Sequence, residues 1–87
     1  MNITYTDSFT RDFRDLPKDI KTRANETLRL LIENHRHLSL RAKKMKAVDD
    51  IWEASISMAY RLTYQIAGDN VILRRIGTHD MLKKETP

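Results

Sequence analysis

Residues 51–84, IWEASISMAYRLTYQIAGDNVILRRIGTHDMLKK, carry the alternation that decides the fold. Trp52, Ala54 and Ile56 alternate with Glu53, Ser55 and Ser57, and Tyr60, Leu62, Tyr64 and Ile66 alternate with Arg61, Thr63 and Gln65. Successive strand side chains point to opposite faces, so each run predicts a strand with one buried face, and Arg61 points away from the core. Gly68, Asp69 and Asn70 tolerate positive φ and predict a tight hairpin into a third strand over 71–78. If that strand stays regular, Leu73, Arg75, Gly77 and His79 share one face, and Ile72, Arg74, Ile76 and Thr78 share the other. The three strands predict an antiparallel meander that ends on an arginine pair and a histidine.

Upstream, Ile3 and Tyr5 alternate with Asn2, Thr4 and Thr6, which predicts a short opening strand. Thr6 or Asp7 offers an N-cap oxygen, and Phe9, Phe13 and Leu16 recur at i, i+4 and i+7, the spacing of one helical face. Pro17 lacks an N–H and suits the first turn of a second helix. Ile20, Ala24, Leu28, Leu31 and Ile32 carry its apolar stripe to about Asn34. The two helices predict a hairpin laid over one face of the sheet, because nothing else in the chain offers an apolar stripe to cover it. The order is strand, two helices, three strands: an α+β fold in one small domain over 1–87.

The 87 residues carry a net charge of +4, and its location says more than its total. Acids and bases balance over 1–34 and nearly balance over 49–87. Between them stand Arg36, Arg41, Lys43, Lys44 and Lys46 with no acid among them. Such a segment is either a solvated loop or a patch that draws polyanions. The chain has no cysteine, which excludes disulfides and thiolate chemistry, and His35, His37 and His79 form no convincing metal set. No metal or cofactor is expected. Apolar runs stop at three residues, far short of the roughly 20 of a membrane span. Residues 1–7 lack the apolar centre of a signal peptide, so a cytoplasmic protein without membrane partners is predicted.

An imidazole beside arginines suits attack on a phosphodiester, where a proton moves while negative charge builds on phosphate oxygens. With the helix hairpin, the basic approach to Trp52, the strand Tyr60-Arg61-Leu62-Thr63-Tyr64 and the ending Ile76-Gly77-Thr78-His79 in this order, the chain resembles the RelE/ParE toxin superfamily. Arg75-Ile76-Gly77-Thr78-His79 is most similar to the YafQ branch. Tyr60-Arg61-Leu62 with Tyr64-Gln65 is most similar to the RelE branch. The resemblance implies a RelE-like fold and the toxin of a type II toxin-antitoxin pair, most often an mRNA endonuclease that cuts the codon in the ribosomal A site. It also implies a cognate antitoxin that wraps the toxin and covers its active face, with operator DNA met only through that complex.

In metal-free RNA cleavage the ribose 2′-OH is the nucleophile, and the protein supplies a base, an acid and cations for the phosphate. The resemblance makes His79 the acid or base and Arg61 the phosphate ligand. On residues alone Arg61 also suits a cross-strand pair with an acid such as Glu53. Arg75 joins the catalytic set by its parity with His79. Lys43, Lys44, Lys46, Arg74 and Lys83 are the candidate substrate contacts, although Arg74 also suits a structural or edge role. Asp80 either caps the strand exit or orients His79. The chain departs from the RelE pattern where Glu53 and Ser55 replace two strand lysines, and where Met81, Leu82, Lys83 and Lys84 replace a C-terminal aromatic. Those departures leave open a ParE-like inhibitor of DNA gyrase, and a weakened toxin acting mainly as an antitoxin-bound autorepressor.

Overall fold

Thr6 closes the first strand and opens the first helix. Its hydroxyl accepts from the Phe9 N–H at 3.2 Å and donates to the carbonyl of Leu73 at 2.8 Å, so an N-cap is fused to a sheet contact. The computed structural model describes residues 2–44 and 50–82. Its elements are β1 (Asn2–Tyr5), α1 (Asp7–Arg14), α2 (Lys18–Glu33), a 3₁₀ turn (Leu38–Leu40), β2 (Lys43–Lys44), β3 (Trp52–Ser55), β4 (Tyr60–Ala67), β5 (Asn70–Thr78) and α3 (His79–Leu82). Lys46 and Lys83 lie outside the described residues.

The expected α+β class holds, with a larger sheet than three strands and an opener. Five strands run in the order β1-β5-β4-β3-β2. β1 pairs with β5 in parallel, and the other neighbours are antiparallel. Part of the basic segment thus becomes an edge strand, with Lys43 opposite Glu53 and Lys44 opposite Trp52. Lysines on so short an edge discourage another chain from pairing there. The β4–β5 hairpin turns on Gly68 and Asp69 with Gly68 at φ +59°, the conformation that glycine enters without steric cost.

β5 departs from the expected regularity. Thr63 pairs with Arg75 but Tyr64 with Leu73, so Arg74 is an extra residue on β5. The bulge breaks the parity: Leu73 and Ile76 both lie in the core, and Leu73 does not share a face with Arg75. The Thr63 hydroxyl takes up the Arg75 N–H at 3.1 Å, so the irregularity leaves no orphaned donor there.

Phe9, Ile20, Ala24, Leu28, Leu31 and Leu40 meet Ala54, Leu62, Tyr64, Val71, Leu73 and Ile76 in one apolar cluster between helices and sheet. Trp52 and Tyr60 pack against it as their parity predicts. Burial pushes the Tyr64 phenol up from its ordinary value of 10.0. The unfolded chain therefore ionises first, and the stability tied to this group is intact below about pH 10 and lost as pH rises beyond it. Melting curves from pH 8 to 11 should fall less steeply for Tyr64→Phe than for the wild type. Parallel declines would remove the phenol as a cause.

Candidate active site opposite the helical layer

The alternation that sends Ala54 and Leu62 to the helices sends Glu53, Arg61 and Thr63 to the other face. Glu53 is only 6 % exposed and Thr63 is fully buried there. α3 lies against β4 and β5, and its Leu82 is buried, as is Ile51 at the entry to β3. Where an aromatic is expected after the last strand, this chain places a buried leucine.

A carboxylate held that far from water needs cations. Arg61 Nε stands 3.5 Å from Glu53 Oε1, and His79 Nδ1 stands 3.9 Å from the same oxygen. The imidazole is seated by its own backbone: the His79 N–H donates to the Ala59 carbonyl at 3.0 Å, tying the start of α3 to the β3–β4 turn. The His79 side chain is 44 % exposed and that of Arg61 22 %, so both reach solvent while their shared carboxylate does not. Since Nδ1 is turned to Glu53, Nε2 is the ring nitrogen left to meet a substrate. At 3.9 Å the Nδ1 contact is an ion-pair distance, longer than a hydrogen bond. The Glu53 carboxylate beside His79 comes from β3, far from it in sequence.

Arg61 is held in place by carbonyls as well. Its Nη1 donates to the backbone oxygens of Ser57 and Tyr60, the latter at 2.9 Å. Among the described residues Nη2 has no assigned partner. Arg61 thus pairs with Glu53 across the strands, with the Nη2 edge of its guanidinium left over from that pair and from the two carbonyls.

Arg75 is placed differently. Its Nε and Nη2 clasp the two carboxylate oxygens of Asp12 on α1 at 2.6 and 3.2 Å, and the same carboxylate accepts the Ile76 N–H at 3.2 Å. Asp12 caps the edge of β5 where β1 has ended, and Arg75 is committed to that clasp. Asp12→Ala should cost about 2 kcal/mol by removing two charge-assisted hydrogen bonds and the acceptor of the Ile76 N–H. Urea unfolding measures it, and a loss under 0.5 kcal/mol would show the clasp to be ornamental. Arg74, the bulge residue, donates to Gln65 Oε1 at 3.1 Å. Lys43 and Lys44 are exposed on β2, with Lys43 in the cross-strand row of Glu53, Thr63 and Arg75. The structure brings together Glu53, Arg61 and His79, leaves the lysines at the rim, and assigns Arg75 to the helix–sheet joint.

Among the described residues no group of three or more His, Asp or Glu side chains is arranged to hold a metal ion. No described helix is long and apolar enough to cross a membrane.

The fold recurs in solved structures. YafQ from E. coli strain BL21(DE3) matches with a TM-score of 0.80 at 20 % identity, over 93 % of this chain and 96 % of that one. The RelB-RelE antitoxin-toxin complex from Methanococcus jannaschii contains a match with a TM-score of 0.77 at 20 % identity, over 97 % and 99 %. The YoeB-YefM complex from Staphylococcus aureus contains another at 0.76 and 19 %, over 91 % and 97 %. The fold is thus that of the small toxins of toxin-antitoxin pairs. No curated protein matches the sequence. The family described as "ParE toxin of type II toxin-antitoxin system, parDE" matches residues 3–83, and the chain belongs to that family, within the RelE/ParE superfamily.

Proposed function

We propose that this toxin is a ribosome-dependent mRNA endonuclease acting in the cytoplasm as a single domain and restrained by a cognate antitoxin. The observation that carries the reading is the buried Glu53 carboxylate set between Arg61 and His79. His79, braced at Nδ1, exchanges a proton through Nε2 with the ribose 2′-OH or the departing 5′ oxygen. Arg61 Nη2 meets the phosphate oxygens as their charge grows. Lys43 and Lys44 meet flanking phosphates, which adds salt-dependent affinity without sequence preference. Arg75 serves the site from behind by fixing α1 to the bulge, and not as a phosphate ligand. The antitoxin reading is supported by the complexes in which RelE and YoeB were solved, and operator DNA would be met only through such a complex.

A second reading has an observation of its own. The matching family is named for ParE, and Glu53 occupies a position where RelE-like nucleases carry a lysine. This favours a toxin that inhibits DNA gyrase without cutting nucleic acid. Purified ribosomes on a defined message separate the two. New RNA ends within A-site codons on adding the protein support the nuclease. An intact message, with supercoiling by purified gyrase blocked, would overturn it in favour of the second reading.

A further inference from the structure

Bordering Arg61 lies a shallow depression of about 280 Å³, lined also by Ser39, Arg41, Ser55, Ile56 and Ser57, with the almost fully exposed Met58. None of the described residues lining it is acidic. Two arginines therefore border one small volume, and among the described residues only Arg61 of the two has a carboxylate partner. Among the described residues the Arg41 side chain has no assigned hydrogen bond or ion pair. Like charges so placed repel unless an anion lies between them.

The backbone gives no reason for an arginine at position 41. Arg41 sits at φ +49° and ψ +40°, the left-handed region that glycine or asparagine enters more easily. The 3₁₀ turn is closed by the Arg41 N–H donating to the Leu38 carbonyl at 3.1 Å, a bond that any residue but proline would make. The side chain is thus free of duty to the turn. Its planar fork and the serine hydroxyls beside it are donors matched to tetrahedral oxyanions.

We propose that this depression is a second phosphate subsite, in which Arg41 and the Ser39 and Ser57 hydroxyls hold the backbone phosphate of a nucleotide adjacent to the one cleaved. Arg61 lies between the two sites and spans neighbouring phosphates of one strand. The subsite rests on the nuclease reading and adds to it a footprint of more than one nucleotide, with a residue that sets the register of the strand.

The test uses a fluorescein-labelled, 2′-O-methyl decaribonucleotide, which cannot be cut, titrated with wild type and Arg41→Asn across a salt series. Asparagine removes the guanidinium while suiting the left-handed backbone, so a fold no less heat-stable than wild type is expected and checked by melting. The expected result is about a tenfold loss of affinity with a logarithmic salt slope shallower by about 0.7, one phosphate contact on a single strand. Equal affinity and slope in both proteins overturn the subsite and leave the nuclease to its ribosome assay. Loss of binding to an acidic decapeptide, with oligonucleotide binding unchanged, overturns it as well and makes the depression a protein-docking site. If the wild type does not bind the oligonucleotide, the subsite falls, and A-site cleavage on ribosomes decides the nuclease separately.

Discussion

His79→Ala is expected to slow message cleavage on ribosomes by about 10²- to 10⁴-fold, the usual cost of removing a general acid or base. That is about 3 to 5 kcal/mol of barrier. The expectation rests on placement. The ring is half in solvent, its Nδ1 faces a buried carboxylate, and its backbone is tied to the β3–β4 turn through Ala59 rather than through the side chain. Removing the imidazole leaves that backbone bond intact and empties little packed volume, so the melting temperature should barely change. Mapping RNA ends in a purified translation reaction reads the rate, and the melt confirms the fold. Cleavage within threefold of wild type would remove His79 from the proton path.

The largest effect on stability is expected at Phe9→Ala, a loss of about 3 to 5 kcal/mol. Phe9 is 1 % exposed, and its ring lies 5.9 Å from that of Tyr5 and 6.3 Å from that of Phe13. It is the one fully buried ring of α1 and plugs that helix into the core formed with β5. A chain of this length has roughly 4 to 13 kcal/mol of total stability, so the variant should lie close to its unfolding midpoint in water. Urea titration followed by circular dichroism measures the loss. A cost below 1 kcal/mol would mean that the aromatic cluster is not a principal support.

Local pattern carried most of the fold. The alternations through Trp52–Ser55 and Tyr60–Ala67, the Thr6 cap, Pro17 before α2 and the Gly68 turn all appear where period and turn chemistry put them, because each depends on neighbours within a few residues. β2 escaped because two exposed lysines show no periodicity, and they become a strand only by lying beside β3. The bulge escaped because a shift at Arg74 is set by what Thr63 and Asp12 offer across the sheet and around its edge.

The candidate site divides the same way. Alternation put Arg61 on the outer face and allowed it Glu53 as a cross-strand partner, and the resemblance marked His79. That Glu53 serves both depends on α3 turning back after Thr78, which no spacing announces. The Asp12–Arg75 clasp joins residues 63 apart in sequence, and no local spacing announces it. Arg41 stood in plain view within the basic segment, but the left-handed turn that brings it to the depression shared with Arg61 has no glycine to signal it.

The parallel pairing of β1 with β5 also bears on when the toxin comes into being. β1 is made well before its partner, since paired positions such as Asn2 and Asn70 stand 68 apart in sequence. At roughly 5 to 20 residues per second, β1 waits about 4 to 15 s before β5 can complete the sheet. Pairings so distant in sequence also close slowly once the chain is whole. His79 follows β5 in the chain, so it reaches Glu53 and Arg61 only once that strand has been made. Until β5 is made, a growing chain therefore has no His79 beside Glu53 and Arg61, and through that interval the Phe9 ring of α1 lacks the strand it packs against.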